Sequence, residues 1–226
     1  MPLTRDQIID AAIRILDVEG PDGLSMRHLG TELDAGATSI YWHVKGKDDL
    51  LDLVADRLIG EILAGLEPAG TWRGWMAAFA RSMRRVLLAH PGVAPVVGRR
   101  VGLGPNALLA LEGVFPLLAA DGFDRASSML ATTTLVGWTT ALVLAEARET
   151  REGTWPAEAG TLLAAGDRPG LAALLRDGTL PTADERFEYG LEVLLGGIDA
   201  REARRGRRAG GAGGAGGDDP ETGREA

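Results

Sequence analysis

The sequence predicts an all-α protein, and three observations carry that prediction. Aromatic residues make up only 5% of the chain while Ala and Leu abound, a balance that favours helix over sheet. Apolar residues recur at three- and four-residue spacing, as Ile9, Ala12, Ile13 and Leu16 do. Segment boundaries carry helix punctuation, with Thr4 and Ser25 as caps and Gly-Pro or Pro-Gly pairs at the breaks. At 226 residues and 45% apolar content, the chain is long enough for one small module joined to a larger one.

The first helix is predicted over residues 4 to 19. Thr4-Arg5-Asp6-Gln7 has the capping-box pattern, in which the Thr hydroxyl and the Gln side chain satisfy free amides. Gly20-Pro21-Asp22-Gly23 ends that helix. Ser25 caps a second helix, Leu24 and Leu29 form the hydrophobic staple across the cap, and Asp34-Ala35-Gly36 stops it after Leu33. A third short helix covers Ala37 to His43, and a fourth runs from Lys47 to Leu66 with Leu51, Val54, Leu58 and Ile62 facing inward. Two short helices joined by a Gly-containing turn and braced by longer ones are the layout of a helix-turn-helix. Beyond Pro68-Ala69-Gly70 the spacing predicts helices at 71–90, 93–99, 105–120, 124–148, 168–177 and 183–203, with a break at His90-Pro91-Gly92 and a loop at 150–167. The domain reading is therefore 1–66, then 67–205, then a Gly- and Ala-rich tail at 206–226 that is expected to be disordered.

Cysteine is absent, which excludes a disulfide framework, a thiolate metal site and a cysteine nucleophile, and fits a reducing, cytoplasmic location. No charged segment leading into an apolar run and a small-residue cleavage site opens the chain, so export is not expected. Lys45 and Lys47 are the only lysines against many arginines, a bias that suggests a GC-rich bacterial genome. Residues 126–145 carry no formal charge over a length that spans a bilayer, yet they hold Ser127, Ser128, Thr132, Thr133, Thr134, Thr139 and Thr140. That many hydroxyls predict a helix buried inside a helical protein, not one in lipid.

Net charge is −8, and residues 1–66 contain 6 Lys and Arg against 12 Asp and Glu. A generic electrostatic grip on DNA is therefore unavailable. The signs are uneven, however, because Ala35 to Lys47 holds Lys45, Lys47 and His43 and no carboxylate. Affinity must then come from this local patch in duplicate, through a homodimer. On the third helix Ser39 and His43 are four apart, with Thr38 and Tyr41 beside them, while Ile40 and Val44 point to the helices behind. A face of Ala37, Thr38, Ser39, Tyr41 and His43 offers hydroxyls and a methyl to base edges, and an aromatic and an imidazole to phosphates. Lys47 opens the fourth helix, so its charge and that helix's free amides can meet one phosphate. Arg27 is the side chain here able to contact guanine through two hydrogen bonds. Trp42 is expected in the core, on the reasoning that adjacent Tyr and Trp cannot both face outward.

The stretch Ile40-Tyr41-Trp42-His43-Val44-Lys45-Gly46-Lys47, preceded by Gly20-Pro21-Asp22-Gly23-Leu24-Ser25-Met26-Arg27-His28-Leu29, resembles the DNA-binding domain of the TetR family, particularly the branch of the tetracycline repressor. The resemblance covers residues 4–62 and implies that Arg27, Ala37, Thr38, Ser39, Tyr41, His43 and Lys47 occupy DNA-contacting positions. Met26, Ala37 and Thr38 depart from the tetracycline repressor, so the resemblance does not imply the same operator. Residues 72–199 resemble the same branch more loosely, through Trp72, Met76, Phe79, Met83, Arg84 and Arg85. In that branch the long helix at 124–148 and the last helix form a dimer's four-helix bundle, and a small-molecule ligand sits among the middle helices. The implied C-terminal domain is thus one for ligand binding and dimerisation. Its candidate pocket residues are the Thr-rich face at 132–140, Thr134 included, with Trp75, Phe79, Phe115 and Trp138. The tetracycline repressor holds its drug through a histidine-bound magnesium ion, whereas His90, beside a helix break, is the only histidine here beyond His43. That argues for a metal-free apolar or aromatic ligand and implies no cofactor.

No enzyme signature competes. There is no His-Glu-x-x-His helix, no Gly-x-Ser-x-Gly elbow and no Gly-rich phosphate loop after a strand, and Gly102-Leu103-Gly104 lies in a helix linker. The rival is a helical interaction or small-molecule-binding protein whose helix-turn-helix does not read DNA, but a protein-binding patch is more often apolar than this one. Arg201 to Arg208, with its five arginines, reads as a solvated terminus.

Overall fold

A computed structural model describes residues 3–67, 69–99, 104–152 and 181–212. Every element among them is helical. Thr4 opens α1 (Arg5–Gly23) with both halves of the expected capping box: the Gln7 amide donates to Thr4 Oγ1 at 3.2 Å, and the Thr4 amide to Gln7 Oε1 at 2.9 Å. The helix kinks at Gly20, whose φ of 72° lies in the left-handed region that glycine adopts without penalty. Ser25 then caps α2 (Met26–Glu32) by accepting from the His28 amide at 3.1 Å, and Leu24 and Leu29 on either side of that cap are both buried. Asp34, at φ 46°, reverses the chain into α3 (Ala37–Tyr41), with the Ala35 amide bonded to the Gly30 carbonyl at 2.9 Å. Gly30 is needed there, since a Cβ would lie 3.0 Å from the Ala35 carbonyl oxygen.

The long α4 (Lys47–Ala64) crosses behind these helices. Its Leu50, Val54, Leu58 and Ile62 join Ile8, Ala12 and Leu16 of α1, with Leu29 and Ile40, in a fully buried core. Arg57 on α4 also grips α1 through Asp10 at 2.8 Å and Asp6 at 3.2 Å. These four helices form the N-terminal head.

Behind it stand α5 (Trp72–Ala89), α6 (Ala94–Arg99), α7 (Pro105–Ala120), α8 (Arg125–Glu152) and α9 (Ala183–Ala212). Ser82 on α5 donates to the Ile62 carbonyl at 2.8 Å, fastening α5 to α4. At the His90-Pro91-Gly92 break, Gly92 packs so closely on α1 that a Cβ would lie 1.8 Å from the Leu16 carbonyl oxygen. His90 Nδ1 meets Asp17 of α1 at 2.7 Å. α8 is long and apolar enough to cross a membrane by length and composition alone, but it packs against α5, α6, α7 and α9. Its hydroxyls behave as the sequence predicts for a helix inside protein: Thr132, Thr133, Thr140 and Thr150 each donate to the carbonyl four residues earlier.

Several boundaries differ from expectation. α1 runs past its kink to Gly23 and not 19, α3 ends at Tyr41 and not His43, and α4 ends at Ala64 and not Leu66. α8 continues to Glu152, past residue 148. α9 continues to Ala212, past residue 203 and into the segment assigned to the tail at 206. Within that added stretch Arg205 reaches back to Asp124 and Ser127 at the start of α8 and so is not merely solvated. The helix expected at 168–177, the loop at 153–167 and the tail from 213 lie outside the described residues.

Candidate functional site

α3 is held by two anchors and presents everything else. Ile40 and Val44 are buried against the head's core, while Thr38, Ser39 and Tyr41 are exposed and His43 is half-buried. Arg27 is exposed on α2, and Ala37 opens α3. The carboxylate-free stretch is therefore a surface of hydroxyls and rings on a short helix of 5 residues.

Trp42 is not in the core. Its side chain is 84% exposed beside Tyr41 at 52%, so both rings face outward. The helix ends at Tyr41, and Trp42 forms the capping turn, its amide bonded to the Ile40 carbonyl. The sequence held the signal: at about 100° per residue, Trp42 lies opposite the midpoint of Ile40 and Val44, so those anchors turn it outward. An indole this exposed on a small helix is the kind of residue that interfaces bury.

Lys47 has a structural task. Its Nζ donates to the Pro21 carbonyl at 2.9 Å and ties α4's first turn to the end of α1. Lys45 is exposed, and its backbone amide is held by Asp49 at 2.8 Å.

The five candidate ligand residues do not converge. Trp75 and Phe79 stack on α5 at 5.1 Å and 11°, with the indole against Gly113 of α7, where a Cβ would come within 3.0 Å of it. Phe115, on α7, is half-buried against the same core. Trp138 instead turns to α9, its ring 5.4 Å from Phe187 and so near Gly190 that a Cβ there would meet it at 2.5 Å. Thr134 is exposed and lines an open groove of about 300 Å³ between α8 and α9, with Leu130, Val193 and Ile198. Among the described residues of α8, Thr139 carries a fully buried hydroxyl with no hydrogen-bond partner. It lies within the 132–140 face that the sequence singled out.

α9 is attached by ion pairs. Arg84 of α5 bridges Glu146 at 2.7 Å and Asp184 at 2.6 Å and lies 4.9 Å from the Phe187 ring centroid. The Glu146 hydrogen bond holds its guanidinium above the ordinary pKa. Arg81 meets Glu188 at 2.6 Å, and that hydrogen bond holds the Glu188 carboxyl below the usual range. Asp124, capping α8, is likewise lowered by the Ser127 amide and then by Arg205.

With this geometry established, comparison with known proteins gives a consistent answer. Residues 8–54 match the model described as bacterial regulatory proteins, tetR family, and residues 64–202 match the tetracyclin repressor-like C-terminal domain. The chain is 39% identical to an HTH-type transcriptional regulator of Saccharopolyspora erythraea, covering 88% of this chain and 85% of that one. It is 35% identical to the HTH-type transcriptional repressor DrrR1 of Streptomyces coeruleorubidus, over 87% of this chain and 77% of that one. Among solved structures, ActR of Streptomyces coelicolor in complex with actinorhodin superposes with a TM-score of 0.73 at 37% identity, covering 88% of this chain and 98% of that one. The chain belongs to the TetR family of bacterial transcriptional regulators.

Proposed function

We propose that this regulator is a homodimeric repressor that places α3 of each subunit in a DNA major groove and leaves its operator when a small apolar or aromatic ligand occupies the C-terminal domain. The observation that carries the reading is the exposed Thr38, Ser39, Tyr41 and Trp42 surface, held out by Ile40 and Val44 in a stretch without a carboxylate. Hydroxyls and rings on a protruding short helix suit base edges and sugar-phosphate, and Arg27 stands on the preceding helix for guanine. Dimerisation is supported by Met129 and Leu130 on α8 and Tyr189 and Val193 on α9, all large and exposed. Such a face costs solubility unless a second copy covers it. Ligand control is supported by the relative solved with actinorhodin and by the buried, unbonded Thr139 hydroxyl on α8. The chemistry is recognition alone, and a cytoplasmic site of action follows from the DNA partner.

The test is a gel shift on duplexes selected from random sequence by the wild-type protein. Tyr41→Ala and Lys47→Ala should each abolish retention while sedimentation still shows a dimer. If both variants shift the duplex as wild type does, the reading surface is elsewhere.

A further inference from the structure

α4 carries two polar grips on successive residues, and they hold different domains. Arg57 holds α1 of the N-terminal head through Asp6 and Asp10. Asp56 holds the C-terminal domain. Its Oδ1 accepts from the backbone amides of Asn106 at 3.0 Å and Ala107 at 3.1 Å, which are free donors of the first turn of α7. The Asn106 side chain adds to the joint, since its Nδ2 donates to Asp56 Oδ2 and to the Asp56 carbonyl, each at 3.0 Å. Close approach is built in: a Cβ on Gly104 would lie 2.2 Å from Asp56 Oδ1, and one on Gly60 would lie 3.0 Å from the Asn106 amide nitrogen. A carboxylate at a helix N-terminus gains from both the hydrogen bonds and the helix dipole, so this contact fixes an angle as well as a distance.

We infer that Asp56 is the positioning residue through which the C-terminal domain sets the angle of α4 and hence the spacing of the reading heads. α7 is the right helix to be held, because the Trp75 indole rests against its Gly113 and Phe115 lies two residues further on. Whatever displaces α7 must drag α4 through Asp56 or break the cap. α4 then moves α1 through Arg57, about 100° further round the same turn. Lys47 stands nine residues from Asp56, about 14 Å along the helix, so a tilt of about 5° displaces the reading end by about 1 Å. The inference rests on the DNA-reading proposal above and names the joint that regulates it.

The test needs no ligand, and the absence of cysteine makes it clean. A spin label on Val18→Cys, an exposed α1 position, gives one inter-head distance per dimer. In that background Asp56→Ala should broaden or shift the distance distribution and weaken binding to the selected duplex about tenfold. Asn106→Ala, which keeps the backbone amides capped, should give a smaller change of the same kind. Asp56→Asn keeps an acceptor for the two amides of α7 and leaves the Asn106 bond to the carbonyl of residue 56 intact, and should hold affinity to within about threefold of wild type. Unchanged distances and affinity in Asp56→Ala overturn the inference, as does an Asp56→Asn variant no better than alanine with normal helicity. A wild-type protein that selects no duplex at all overturns the DNA-reading proposal instead.

Discussion

Trp42 concentrates the residue-scale argument. An indole 84% exposed contributes almost nothing to folding, because its apolar area stays in water. Trp42→Ala should therefore leave stability within about 0.5 kcal/mol of wild type, yet weaken binding to the selected duplex by at least about tenfold. Thermal unfolding and fluorescence anisotropy read the two effects separately. Lys47 is the counter-example, since its bond to the Pro21 carbonyl gives it a share in the head's architecture as well as in the proposed phosphate contact. Local chemistry at this scale was legible in the sequence. The Thr4 and Ser25 caps act over three residues and form as spacing predicted, and the staple residues Leu24 and Leu29 are both buried. Trp42 was legible too, but only with the helix face centred on Ile40 and Val44. Asp56 was not legible, because its partners Asn106 and Ala107 are 50 and 51 residues away and nothing in either segment marks the pairing.

At the scale of elements, the helix order and breaks follow from the positions of Gly and Pro, while the length of α9 does not. Its Gly-rich end has weak intrinsic helix preference, and Arg205, about two turns before the end, ties the helix to Asp124 and Ser127 at the start of α8. The candidate ligand residues failed to converge for a similar reason. Periodicity gives the face of a helix but not which neighbour the face meets, so Trp138 proved to face Phe187 on α9 while Trp75 faces α7. Ion pairs to α9 make a pH prediction. Glu188 and Asp124 have carboxyl pKa values lowered in the folded chain, so their contribution is complete above the ordinary carboxylate range and is lost as pH falls through the lowered values. Docking of α9 should weaken below about pH 4, seen as a change in Trp138 emission ahead of the main loss of helicity. Glu188→Gln should move that early change toward higher pH. An early change at the same pH in this variant would assign it to other groups.

For the whole molecule, the main tension is a net charge of −8 on a DNA-binding regulator. Bulk attraction is absent, and the acidic residues crowd α1 and α4 while the segment from Ala35 to Lys47 contains none of its own. On the proposed reading, recognition depends on two such faces held at a fixed spacing, which makes the dimer and the angle of α4 part of the reading surface. Ile40 and Val44 present each face, α4 carries it, and the joint from Asp56 to α7 ties it to the domain where the ligand is proposed to act. The most direct measurement is a hydroxyl-radical and methylation-interference footprint on the selected duplex. The account predicts two symmetric major-groove contacts whose centres are about one helical turn, or a whole multiple of it, apart. A single asymmetric contact, or protection without sequence preference, would contradict it.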